Sequence, residues 1–76
     1  MTKIEIQLKL VGSKMERCQT EIDSLLNVIT RRCESPETLL FNVEFLAYDV
    51  NELVKLRKEL GELTNTREML EYFLKD

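Results

Sequence analysis

Three groups of side chains in this sequence are of types that could do chemistry: two cysteines, a run of carboxylates and a cluster of aromatics. Cys18 and Cys33 lie 15 positions apart. On one helix that spacing separates them by roughly 22 Å at about 1.5 Å per residue, too far for a disulfide. The chain has no histidine, and two thiolates alone do not fill a four-ligand zinc site. Reduced, buried thiols are therefore expected, with no metal and no cofactor. Without histidine there is no ordinary general base near neutral pH and no Ser-His or Cys-His pairing. Gly12 and Gly61 are isolated, so no glycine-rich phosphate loop is present. The carboxylates sit on expected exposed helix faces, with no sign of a pocket that would raise a pKa. The sequence points away from catalysis, and no catalytic residue is expected.

The carboxylates and aromatics suggest binding instead. From Glu34 to Glu52 there are five acids (Glu34, Glu37, Glu44, Asp49 and Glu52) and no base, a local charge of −5. Such a stretch is either a solvated helix face with favourable charge at a helix start, or a docking patch for a basic partner. Phe41, Phe45 and Tyr48 follow one another at steps of 4 and 3 within it. Aromatics so spaced are typical anchors of helical interfaces. The expected partner-binding residues are Phe41, Phe45, Tyr48, Glu44, Asp49 and Glu52.

Helices are the elements that must carry them. In "ESPET", residues 34–38, Ser35 suits an N-cap, Pro36 the first helical position and Glu37 the first turn. A helix begins there, and whatever precedes it ends near Glu34. Upstream, Ile4, Leu8, Val11, Met15, Cys18, Ile22, Leu25 and Ile29 alternate steps of 4 and 3, an unbroken heptad seam. Downstream, Leu39, Val43, Leu46, Val50 and Leu53 do the same. Leu56, Leu60 and Leu63 then continue after a doubled step of 3, a local slip in the repeat.

Two matching seams joined by a tight turn predict an all-α antiparallel helical hairpin with a coiled-coil-like seam. Helix 1 is expected over about 2–34 and helix 2 over about 36–60. A kink or turn is expected at 61–64, where Gly61 could end a helix and Asn65 with Glu68 could restart one. A last helical segment over about 65–75 carries Met69, Leu70, Phe73 and Leu74.

The opening "KIEIQLKLVG", residues 3–12, complicates this picture because it alternates polar and apolar residues as a half-buried strand does. Gly12 disfavours helix, and "SKME" at 13–16 could start one afresh. A single strand would leave its backbone groups unpaired, however, and the heptad seam passes through Gly12 in register. Helix is the expected state; a strand here would have to pair with another chain. In a hairpin with one internal face, Phe41, Phe45 and Tyr48, with Leu10, Leu26 and Val28, form apolar surplus. Either a third helix or another protein chain must cover it.

The bulk properties agree. Seventy-six residues with 43% apolar side chains make one small domain, short enough that a partner often completes the core. A net charge of −3 disfavours nucleic acid as a partner. No run of about 18 apolar residues suggests a membrane span. No ordinary signal peptide is visible, and a cytoplasmic location is expected.

"MTKIEIQLKLV", with Ile4, Glu5, Gln7, Leu8 and Val11, is similar to the amino terminus of the small co-chaperones of type III secretion needle subunits, the YscE/SsaE-like proteins. "SPETLLFNVEFLA", with Asn42 and Leu46 at matching offsets, resembles the second helix of that family. The chain continues past that pattern with "LRKELGELTNTREMLEYFLKD". The resemblance implies a bacterial, cytoplasmic helical hairpin. Such a protein pairs with a helical-repeat co-chaperone and helps hold an amphipathic, polymerising subunit soluble until export. Two alternatives use the same features. One is a small regulator or inhibitor, of phage or sporulation type, docking its acidic face on an enzyme or transcription factor. The other is a self-assembling coiled coil, its partner a second copy of the chain in a homo-oligomer.

Overall fold

The computed structural model describes residues 2–75, which form three helices: α1 (Lys3–Arg32), α2 (Pro36–Phe41) and α3 (Val43–Lys75). The fold is an all-α hairpin in which α1 packs along α3. It is a rod of 57 × 16 × 13 Å.

The opening stretch is helical. Thr2 caps α1: its hydroxyl accepts from the Glu5 amide at 3.2 Å, and the Glu5 carboxylate accepts from the Thr2 amide at 3.5 Å. The reciprocal pair satisfies two amides that have no partner in the first turn. The alternation in 3–12 is two helical stripes interleaved. Ile4 and Leu8 are half-buried against the hairpin, whereas Ile6 and Leu10 are exposed on the outer side. The helix runs through Gly12 and Ser13 without a restart.

Ser35 and Pro36 act as their types suggest. The Thr38 amide donates to the Ser35 hydroxyl at 3.1 Å, and proline occupies the first turn of α2. The interruption that follows lies at Asn42, with φ −105° and ψ 13°. It is a bend and not a turn-back. The Asn42 amide donates to the Thr38 carbonyl at 3.1 Å, and the Asn42 carbonyl accepts from the Leu46 amide at 2.8 Å. These two bonds flank the bend, and Asn42 separates α2 from α3. The kink or turn placed by sequence at 61–64 does not occur: α3 is continuous through Gly61 to Lys75. Thr64 and Thr66 stay within the helix by donating to the Leu60 and Glu62 carbonyls at 2.8 and 3.0 Å. With α3 unbroken, residues 65–75 are its last turns and form no separate third helix.

The α1 seam lies where its spacing puts it, every position from Ile4 to Ile29 being half-buried or buried. The α3 seam differs from expectation. Leu46, Asp49, Leu53, Leu56, Leu60 and Leu63 face α1, at steps of 3, 4, 3, 4 and 3. The slip disappears because Asp49, not Val50, holds the seam position; Leu39, Val43 and Val50 are exposed.

This core is thin. Among the described residues, Val11, Cys18 and Asp49 are the only buried ones. The accessible surface is 6219 Å², against about 4,900 Å² for a compact monomer of 9.0 kDa. The radius of gyration is 17.1 Å, against about 11 Å for a compact chain of this length.

Candidate partner interface

The turn end of the hairpin holds the residues singled out by sequence. Phe41, Phe45 and Tyr48 are all exposed, at 85%, 58% and 66% of their full accessibility. Helical spacing puts them on one side of the α2–α3 rod, next to the seam. Glu44 is exposed beside them, as are Glu34 and Glu37. Glu52 is half-buried and takes the Lys55 ammonium at 3.3 Å. Asp49 is set apart from these acids. It is 6% exposed, in the seam, and accepts from Arg32 Nε at 2.7 Å.

Arg32 organises this end. One guanidinium nitrogen donates to Asp49 and another to the Asn42 side-chain carbonyl at 3.1 Å. The Asn42 amide group in turn donates to the Thr38 carbonyl at 2.9 Å. The guanidinium carbon lies 5.1 Å from the centroid of the Phe45 ring, a cation–π contact. The last seam layer is thus polar: it ties the end of α1 to the bend at Asn42 and holds Phe45 from one side. A shallow depression of about 280 Å³, lined by Val28, Arg31, Arg32, Thr38 and Asn42, opens beside it.

Arg32 is the residue that sequence reasoning missed. The stretch 34–52 contains no base, yet a base two positions before it neutralises its most deeply placed acid. A signal existed. Arg32 stands one seam step after Ile29, and Asp49 stands between Leu46 and Leu53 at steps of 3 and 4. A basic and an acidic residue in matched seam positions, one on each side of the turn, read as a polar layer.

Cys18 is buried at mid-seam, and its thiol donates to the Leu56 carbonyl at 3.2 Å. Burial pushes its pKa above the ordinary value, and the Glu59 and Glu21 carboxylates add to the shift. Such a thiol is a packing group and a poor nucleophile. Cys33 is exposed, and neither cysteine is in a disulfide. Among the described residues, no group of three or more His, Cys, Asp or Glu side chains is placed to hold a metal ion. No described helix is long and apolar enough to cross a membrane.

Nothing matches the chain. Protein-family models, curated proteins and solved structures were each compared with it, without a match.

Proposed function

We propose that this protein is a non-catalytic binding module whose aromatic ridge, Phe41, Phe45 and Tyr48, packs against an amphipathic helix of another protein chain. The observation that carries this reading is the exposure of all three aromatics on a hairpin with almost no buried core. Large apolar groups clustered on one rigid face and rimmed by charge mark an interaction site. Glu44, with Glu34 and Glu37 nearby, favours a partner whose apolar stripe is flanked by Lys or Arg.

The role that fits best is that of a cytoplasmic co-chaperone or adaptor. It covers the stripe of a polymerising helical subunit, as the resemblance to needle-subunit co-chaperones implies. The pairing of Asp49 with Arg32 weakens the alternative of a regulator working through its acidic face, because it removes one carboxylate from that face.

Affinity purification of the tagged full-length chain from its native host tests the proposal. A helical protein should be retained in stoichiometric amount, and Phe41→Asp should release it while far-UV circular dichroism stays unchanged. Retention that survives Phe41→Asp and Phe45→Asp, or that is lost only on Glu44→Lys, would overturn it.

A further inference from the structure

The helical ladder is broken between α2 and α3. Among the described residues, the backbone bonds that join the two helices all belong to Asn42. Its amide donates to the Thr38 and Leu39 carbonyls at 3.1 and 3.2 Å, and its carbonyl accepts from the Leu46 amide at 2.8 Å. The amides of Val43, Glu44 and Phe45 make no bond to the carbonyls of Leu39, Leu40 and Phe41. They are the first-turn amides of α3, which an asparagine just ahead of the helix is well suited to cap. The Asn42 side-chain oxygen accepts instead from Arg32 at 3.1 Å, and its side-chain amide donates back to Thr38 at 2.9 Å. A side chain of α1 thus holds the bend, in place of both the ladder and the cap.

α2 itself is lightly held. Of its six residues, Thr38 alone is half-buried, and Leu39, Leu40 and Phe41 are exposed. Three residues outside any helix, Cys33, Glu34 and Ser35, join it to α1. A segment with so few buried apolar contacts moves at low cost.

We propose that α2 is a hinged strap and that Arg32 is its latch. Latched, the chain bends at Asn42. Unlatched, Asn42 takes helical angles, and α2 and α3 run on as one helix. The straight form gains three ladder bonds, from Val43, Glu44 and Phe45 to Leu39, Leu40 and Phe41. The bent form keeps the guanidinium bond to Asn42, stronger than a neutral one because its donor is charged. It also keeps the guanidinium 5.1 Å from the centre of the Phe45 ring. Two arrangements with competing sets of bonds make a two-state element.

The use of the strap rests on the aromatic ridge being the binding face. The hinge stands between Phe41 on α2 and Phe45 with Tyr48 on α3. In one unbroken helix the three form a single stripe at steps of 4 and 3, and Phe45 is free of the guanidinium. A partner helix that packs along the whole stripe selects the straight form.

Amide hydrogen exchange of the purified full chain, followed residue by residue by NMR, tests the hinge. It needs no partner, so its outcome is separate from that of the binding proposal. In the wild type, Val43, Glu44 and Phe45 should exchange close to the rate of an unprotected amide, with Leu46 and Leu56 protected. Arg32→Lys keeps a charge for Asp49 but loses the planar fork that reaches Asn42 and Asp49 together. Asn42→Ala removes the acceptor and leaves a good helix former that cannot cap α3. Each variant should slow exchange at the three amides by about tenfold or more and leave Leu56 protected. Simple loss of structure at the bend would do the reverse. Faster or unchanged exchange at the three amides in either variant would overturn the proposal. Slowing in Asn42→Ala alone would mean that alanine's helix preference acts and Arg32 is no latch; slowing in Arg32→Lys alone would mean that a released Asn42 merely caps α3. Protection of the three amides in the wild type would overturn it too, because the bend would then be absent in solution.

Discussion

The middle of the hairpin and its turn end share the same 3–4 spacing, yet they are built inside out relative to each other. In the middle, the seam is apolar: Val11, Met15, Cys18 and Ile22 on α1, with Leu53, Leu56, Leu60 and Leu63 on α3. Its exterior is charged, with Glu16, Arg17, Glu21, Arg57, Lys58, Glu59 and Glu62 exposed. At the turn end the centre is polar, with Arg32, Asp49 and Asn42 bonded together, and the exterior is apolar, with Leu26, Leu40, Phe41, Val43, Phe45 and Tyr48 exposed. The middle serves folding. At the turn end, a polar layer joins the two arms, and the large apolar residues lie on the surface. α1 is more one-sided than α3, which spreads its apolar residues round its circumference, so most of the surplus belongs to α2 and α3, with Ile6, Leu10, Leu26 and Val28 the exposed apolar residues of α1.

The sharpest way to break this contrast is one kind of substitution in both places. Val11→Asp sets an unpaired carboxylate in the apolar seam and should cost more than about 3 kcal/mol, enough to unfold a hairpin with so little core. Phe41→Asp at the turn end should change stability by less than about 0.5 kcal/mol, because its ring touches water already. Urea denaturation followed by circular dichroism compares them. Equal losses would mean that the ridge is core.

The polar layer offers the next largest effect. Arg32→Leu or Asp49→Leu alone should each cost about 1–3 kcal/mol by stranding the other partner; Arg32 is partly open to solvent, which keeps the figure below that of a fully buried pair. The double substitution makes the last layer apolar like the middle and should recover wild-type stability or exceed it. Should the double variant be as weak as the singles added together, the pair is not what fixes this layer.

Much of this contrast could be read from the sequence, and the rest was hidden for physical reasons. The α1 seam, the Ser35–Pro36 start and the exposed aromatics were all visible as spacing. The opening stretch was ambiguous because two helical stripes on one helix, Ile4 with Leu8 and Ile6 with Leu10, mimic the period of a strand. The downstream seam departs from its apolar spacing at Leu39, Val43 and Val50, all exposed: by type Val50 looks like core and Asp49 does not, yet a carboxylate with an arginine across the seam can occupy it. Gly61 suggested a break, but a glycine inside 33 helical residues costs too little to end them once α1 runs alongside.

Two smaller effects sharpen the account of the middle. A methyl added at Gly12 or Gly61 would meet nothing within 4 Å. Gly12→Ala and Gly61→Ala should therefore each stabilise the hairpin by about 0.5–1 kcal/mol, seen as a higher melting temperature. Little gain at Gly61 would show that the helix is not continuous there in solution. The smallest effect is on pH dependence. The Cys18 pKa is raised in the fold, so the unfolded chain releases that proton first as pH rises past the ordinary thiol value of 9.0. Folding stability should fall there, and more gently in Cys18→Ala. Identical slopes would mean that burial does not hold the thiol protonated.

The central claim is that the turn end of an isolated protomer keeps its aromatic ridge in water and gives it up to another chain. Hydroxyl-radical footprinting read out by mass spectrometry tests this at single residues. Phe41, Phe45 and Tyr48 should be strongly modified in the purified protein and protected in native-host extract, with Leu56 protected in both. Protection of all three aromatics in the purified monomer would contradict the account, because the hairpin would then have buried them unaided.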